Sequence, residues 1–278
     1  MIAQQHERLL NRQARKTQSA GFNSDAMCIL AAVRYFFCIA FDGSKYHGWQ
    51  KQTNGISVQE VIEQVLLQFT GEAVEVTGCG RTDTGVHASK FYFHADIQHA
   101  LDESVIHNLN CMLPRDIVLY NIIPVNGDAH ARFDARERTY VYHIHFYKNP
   151  FKGTYSVYQF PAPDIEKMNE ACERLLTHTD FKCFSKSNTQ VKHYECFITH
   201  ASWKKINDGM EFEITANRFL RNMVRAIVGT MLDLGNGKIS MKDFEDILQS
   251  GNRSRAGTSV PAKGLFLTRV VYPFIAES

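Results

Sequence analysis

The chain has 278 residues, 44% of them hydrophobic and 12% aromatic, which is enough to bury one large core or two modest ones and too apolar for overall disorder. Thirty-one Lys and Arg against 29 Asp and Glu leave a formal net charge of +2, far from the bulk basicity that by itself announces a nucleic-acid binder, so any anion site must come from the placement of charges. The seven cysteines are odd in number, widely spaced and never in a Cys-x-x-Cys pair, which argues against a disulfide framework or a zinc knuckle and for a reducing cytoplasm.

The first 25 residues are polar with a basic excess. The apolar patch Cys28 to Val33 resembles a late signal-peptide core, but no small-residue cleavage pattern follows it and a strand begins at once. Interrupted by Arg34, the run also falls short of the roughly 20 residues of a membrane span, so no transmembrane helix is expected. Residues 1–32 read as a disordered tail or an upstream extension, since Val33 opens the first strand and valine can be encoded by an alternative start codon.

Residues 34–41 and 90–97 carry aromatic and aliphatic side chains at strand spacing, and 73–77 and 117–125 are short β-rich runs. Between the first two long strands, Ser57-Val-Gln-Glu60 is a capping box. It precedes Val58, Val61, Ile62, Val65, Leu66 and Phe69 on one helix face, with Gly71 as the stop. Asp102 caps a second helix carrying Val105, Ile106 and Leu109. The order is β-α-β-β-α-β.

The second half opens on a clean alternation from Arg138 to Tyr147, with Tyr140, Tyr142, Ile144 and Phe146 on one face and Thr139, Val141, His143 and His145 on the other. Asp164 caps a helix that turns Ile165, Met168, Cys172, Leu175 and Leu176 inward. Strands at 192–204 and 210–217 flank the hairpin signal Asn207-Asp208-Gly209. A helix over about 218–234 ends at Gly235, a shorter one starts at Ser240-Met-Lys-Asp243, and Leu265 to Tyr272 is a closing strand. Both halves approximate the split βαβ order. The fold class is therefore α+β, with two similar lobes, 33–137 and 138–278, sharing a mixed, mainly antiparallel sheet with a cleft between them.

Two segments carry chemistry. In Gly78-Cys-Gly-Arg-Thr-Asp-Thr-Gly-Val-His-Ala88, glycines let the backbone turn tightly around Asp83, with Arg81 two residues earlier. Asp83-Thr84-Gly85 is the tripeptide of an aspartic protease, but a pepsin-like site needs two such loops sharing a proton and the chain has one. The alternative is an acidic turn residue in a Gly-rich hairpin. On the predicted helix 218–234, Arg218, Arg221 and Arg225 form a stripe without acidic residues, joined by Arg253, Arg255 and Lys263 downstream and by Lys182, Lys186 and Lys192 upstream. Phosphate binding and plain solubility both account for that stripe. His143-x-His145 lacks a third metal ligand at sensible spacing, and no phosphate loop or dinucleotide fingerprint occurs.

Taken together, Phe41-Asp-Gly-Ser-Lys-Tyr-His-Gly-Trp-Gln50, Gly80-Arg-Thr-Asp-Thr-Gly-Val-His-Ala88, His130-Ala-Arg-Phe-Asp-Ala-Arg136 with Tyr140, Ala216-Asn217 with Met223-Val-Arg-Ala-Ile-Val-Gly229, and Pro261-Ala-Lys-Gly-Leu265 resemble the tRNA pseudouridine synthases of the TruA family. The similarity runs from about residue 34 to 273, with Thr84 where many relatives carry Ala. It implies the pseudouridine synthase fold and isomerisation of uridines at positions 38, 39 and 40 of the tRNA anticodon stem-loop, without metal or cofactor, by a cytoplasmic homodimer. By the same resemblance Asp83 is the catalytic nucleophile or base, Arg225 its basic partner, Arg81 the residue that displaces and holds the target base, and Tyr140 the active-site tyrosine. Arg218 and Arg221 are then candidates for tRNA backbone contacts. A non-catalytic RNA-binding protein with the same basic cleft is the competing class, and it would leave uridine chemistry unchanged.

Overall fold

The computed structural model describes residues 32–98, 100–102, 104–186 and 193–276. The tail expected over 1–32 lies, except for its last residue, outside them, as does Lys192.

Alternating and fully apolar runs along the chain become the strands β1 (Val33–Phe41), β2 (Thr77–Gly78), β3 (His87–Ile97), β4 (Ile117–Pro124), β5 (Glu137–His145), β6 (Val157–Tyr158), β7 (Ile198–Ile206), β8 (Gly209–Ala216) and β9 (Leu265–Val271). They join in one sheet of order β4-β1-β3-β9-β5-β8-β7, with β2 also paired to β3 and β6 to β5. The helices are α1 (Val58–Thr70), α2 (Ser104–Met112), α3 (Ile165–Leu176), α4 (Met223–Gly235) and α5 (Met241–Ser250). This is a mixed α+β fold in which most strand pairs are antiparallel.

Each half of the sheet repeats one rule. In β4-β1-β3-β2 and again in β9-β5-β8-β7, the first strand of the half lies between its last and its third, with the second outermost. That is the split βαβ arrangement. The halves meet where β9 runs parallel to β3, pairing His87 with Phe266 and Ala88 with Leu267, while its other edge pairs antiparallel with β5. The strand that joins the sheet is thus the last one in the described chain.

Helix caps form at Ser57, Asp164 and Ser240, and at Ser57 only the serine half of the expected capping box is present. Ser57 Oγ accepts from Glu60 N at 3.2 Å, Asp164 accepts from Glu166 N and Lys167 N, and Ser240 and Asp243 form a reciprocal capping box. Gly71 closes α1 with φ 78°. Phe37 and Ile39 of β1 line an apolar pocket with Ile62, Leu66 and Leu109 of α1 and α2. The opposite face of β1 is covered too, with Phe36 5.9 Å from the ring of His94 and 5.1 Å from that of Tyr272. Covered on both sides, β1 reads as a continuous apolar run. A second core packs α3, α4 and α5 against β5, β7 and β8 around Tyr142, Phe212 and Phe244.

Three expectations need correction. The strand expected over 192–204 begins only at Ile198, because the backbone before it bonds elsewhere: Tyr194 O accepts from Phe181 N at 3.1 Å and Cys196 N donates to Thr179 O at 3.0 Å. The run 73–77 contributes to the sheet only at its end, as the two residues of β2, because side chains of α1 take the backbone before it: Val76 N donates to Glu63 Oε1 at 3.3 Å and Val76 O accepts from Gln59 Nε2 at 3.1 Å. The helix expected from 218 begins at Met223, since Asn222 is left-handed at φ 66° and the carbonyl of Arg221 accepts instead from Lys186 N at 3.1 Å.

Leu267 is 1% exposed and is paired to both β3 and β5. Leu267→Ala is expected to cost about 2–5 kcal/mol of stability, read as a lowered midpoint in chemical denaturation.

Candidate active site

Asp83 stands in the loop between β2 and β3. That loop is shaped by the segment 42–49 beneath it. Gly85 N donates to Tyr46 O at 3.3 Å and Val86 N to Asp83 O at 3.1 Å, with Gly85 at φ 77°. Gly48, at φ 83°, approaches so closely that a Cβ there would lie 2.2 Å from Thr82 O. Only glycine permits that contact in that conformation.

The carboxylate meets two guanidinium groups. Arg225 Nη1 donates to Asp83 Oδ2 at 3.2 Å, and Arg221 Nε lies 3.8 Å from Oδ1. Arg225 is fixed before it reaches Asp83, since its Nε donates to Val260 O at 2.8 Å and its backbone carbonyl accepts from Val260 N at 3.2 Å. Asp83 and Arg225 are each about four-fifths covered, whereas Arg221 is largely open. The three arginines of the predicted stripe therefore divide. Arg225 is helical, while Arg218 and Arg221 lie in the loop before α4, yet the break at Asn222 still brings Arg221 to the carboxylate. An ion pair with two cations is the opposite of a proton-sharing aspartate dyad.

Tyr140, on β5, is partly buried, with its ring 5.2 Å from that of Phe219 in edge contact. Burial pushes its hydroxyl well above the usual tyrosine range, and the Cys79 and Asp83 side chains act in the same direction. At neutral pH it is a hydrogen-bond donor. Arg81 and Arg218 are exposed.

Two arginines not singled out from the sequence complete the site. Arg138, at the start of β5, donates from Nη1 to Ala135 O at 2.8 Å and Asn217 O at 2.7 Å, and from Nη2 to Cys79 O at 3.0 Å and Arg132 O at 2.6 Å. It ties the Asp83 loop, the segment 132–135 and the approach to α4 to one group. Arg132 projects from the second of these. Partial burial, followed by the charges of Arg81, Arg218 and Arg138, pushes its guanidinium below the ordinary arginine value. Crowded cations of this kind are relieved by an anion. The motif His130-Ala-Arg-Phe-Asp was visible in the sequence, and an arginine beside an aromatic residue within it was the available signal.

Other cations have internal duties. Arg253 donates to Ala256 O, Gly257 O and Ser259 Oγ, bracing the loop that carries Val260. His143 pairs with Glu211 at 3.1 Å and His145 with Ser156 at 2.9 Å.

Arg138→Ala would strand four carbonyls. The expected loss is about 2–4 kcal/mol in denaturant unfolding, and lysine, without the fork, should restore little of it. A second expectation concerns His94, whose Nδ1 accepts from Ala131 N at 3.0 Å. Burial, then Arg34, lowers its pKa from 6.5 to about 4. The unfolded chain takes up that proton first, so stability should fall as pH drops from about 6.5 toward 4, and His94→Gln should flatten that part of a melting-temperature profile.

A family model described as tRNA pseudouridine synthase matches residues 171–273. The chain is 47% identical over 245 residues to tRNA pseudouridine synthase A of Porphyromonas gingivalis, covering 86% of this chain and 97% of that protein. It is 49% identical over 248 residues to the protein of the same name from Bacteroides fragilis, covering 88% and 98%. The Caldicellulosiruptor saccharolyticus protein of that name is 39% identical over 243 residues, covering 84% and 97%.

Proposed function

The chain belongs to the tRNA pseudouridine synthase A family, and from that premise we propose that it isomerises uridine to pseudouridine at positions 38, 39 and 40 of the tRNA anticodon stem-loop. The observation that carries the site assignment is the Asp83 carboxylate, held between Arg225 and Arg221 at the mouth of an arginine-lined surface.

The reaction is an isomerisation. The N1–C1′ glycosidic bond breaks, the uracil turns, a C5–C1′ bond forms, C5 loses its proton and N1 gains one. Asp83 acts as the anion, either as nucleophile or as base, with the guanidinium of Arg225 in hydrogen-bond contact with its carboxylate. Because Arg225 is already braced by Val260, no reorganisation is needed when substrate arrives. A base within a stem must first leave the stack, at a cost of a few kcal/mol. Arg81 assists that displacement and holds the extruded base. Tyr140 stacks on the uracil and keeps its proton available for relay, consistent with the upward push on its hydroxyl. Arg218 and Arg221 face the phosphate backbone, and recognition proceeds by shape more than by sequence. The enzyme acts in the cytoplasm as a homodimer.

The test uses tRNA carrying tritium at uracil C5. The protein should release label to water from transcripts with uridine at 38, 39 or 40, and replacing those uridines with cytidine should abolish release. Asp83→Asn should lower the rate by about a hundredfold or more while tRNA binding persists. Release unaffected by that substitution would remove Asp83 from the chemistry. Tight, salt-sensitive binding without any release by the parent protein would leave a binding protein instead.

A further inference from the structure

Phe133 is 75% exposed. A lone exposed aromatic is ordinary on a protein surface, but this ring is mounted. It lies 4.2 Å from the ring of His130 at an interplanar angle of 34°, and His130 in turn meets the ring of His94 at 4.8 Å in edge contact. His94 is buried on β3. The column therefore runs from the sheet to the solvent. Its backbone is fixed as well. His130 Nδ1 accepts from Arg132 N at 3.1 Å and Phe133 N at 3.3 Å, while Asp134 Oδ2 accepts from His130 N at 2.7 Å.

Charge accompanies the ring. The guanidinium carbon of Arg132 lies 5.9 Å from the Phe133 centroid, and Arg81 and Arg218 are near enough to disfavour its proton. Through Arg138, the Arg132 carbonyl shares one guanidinium with the carbonyl of Cys79, at the root of the Asp83 loop. A rigid, open π-face beside cations is the combination that single-stranded nucleic acid uses, one group for a base and the other for its phosphate.

We infer that Phe133 is a stacking platform for an unpaired base of the RNA substrate, outside the Asp83 pocket, with Arg132 holding the adjoining phosphate. The assignment rests on the reading that tRNA is the substrate. Phe133 is a positioning residue and does not touch the reacting atoms. An aromatic ring is required at this position, and apolar bulk alone does not suffice.

The experiment compares Phe133→Leu, Phe133→Tyr and Phe133→Trp in the full chain. Phe133→Leu should raise KM for the tRNA transcript about tenfold with kcat changed little, and should weaken binding equally in the Asp83→Asn background. Phe133→Tyr and Phe133→Trp should retain parental values. The added indole of Phe133→Trp, read against the parent's own emission, should be quenched by tRNA and left unchanged by inorganic polyphosphate, which has charge but no bases. Parental KM and binding in Phe133→Leu, or an indole that tRNA does not quench, would overturn the proposal. Absence of tritium release by the parent would instead count against the isomerase reading, because the binding and quenching measurements do not depend on turnover.

Discussion

Four backbone carbonyls, from three separate segments around the site, converge on the guanidinium of Arg138. Cys79 leads into the Asp83 loop, Arg132 and Ala135 bound the segment that shields one sheet face, and Asn217 begins the approach to α4. Carbonyls in irregular loops have no ladder to satisfy them, and leaving them unpaired away from water is costly. One planar fork with five donors answers four of them at once. The Asp83 loop is consequently anchored from beneath by β5, in addition to its contacts with segment 42–49, and Arg225 is held separately by Val260.

With that anchor in place, the electrostatics of the site follow from geometry. Asp83 is supplied by a turn in the N-terminal half and its two cations by the chain around Asn222 in the C-terminal half. Neither half contains a complete site. The ion pair is also a contact between the two split βαβ units. Beside this pair Arg132 is crowded by Arg81, Arg218 and Arg138, an arrangement that an anion would relieve.

Much of this was legible in the sequence, for identifiable reasons. The caps at Ser57, Asp164 and Ser240 are local devices, and local signals survive folding. The alternation from Arg138 onward marked β5 because one period of two residues runs through it. The start of α4 was misplaced because the residues from Arg218 to Asn222 are compatible with a helix, and what prevents it is tertiary: the Arg221 carbonyl is taken by Lys186, and Asn222 Nδ2 donates to Ser259 Oγ at 2.6 Å. Arg138 was hidden for the same reason. A side chain that serves carbonyls 3, 6, 59 and 79 residues away leaves no periodic trace. Arg132 lay inside a recognised motif, yet its role depends on neighbours that the sequence does not place beside it.

The central position of β9 has a temporal meaning. A ribosome releases Asp83 early and β9 last among the described strands, so in the nascent chain β1, β3 and β4 can pair while the His87–Ala88 edge of β3 still lacks its parallel partner. An unpaired edge is a template for the wrong strand, in this chain or another. Without β9 no strand links β3 to β5, although the Asp83 carboxylate and Arg225 lie on opposite sides of that join. A chain ending before residue 265 would lack the strand that pairs with both β3 and β5, and would leave two sheet edges open where the described strands now form one continuous sheet.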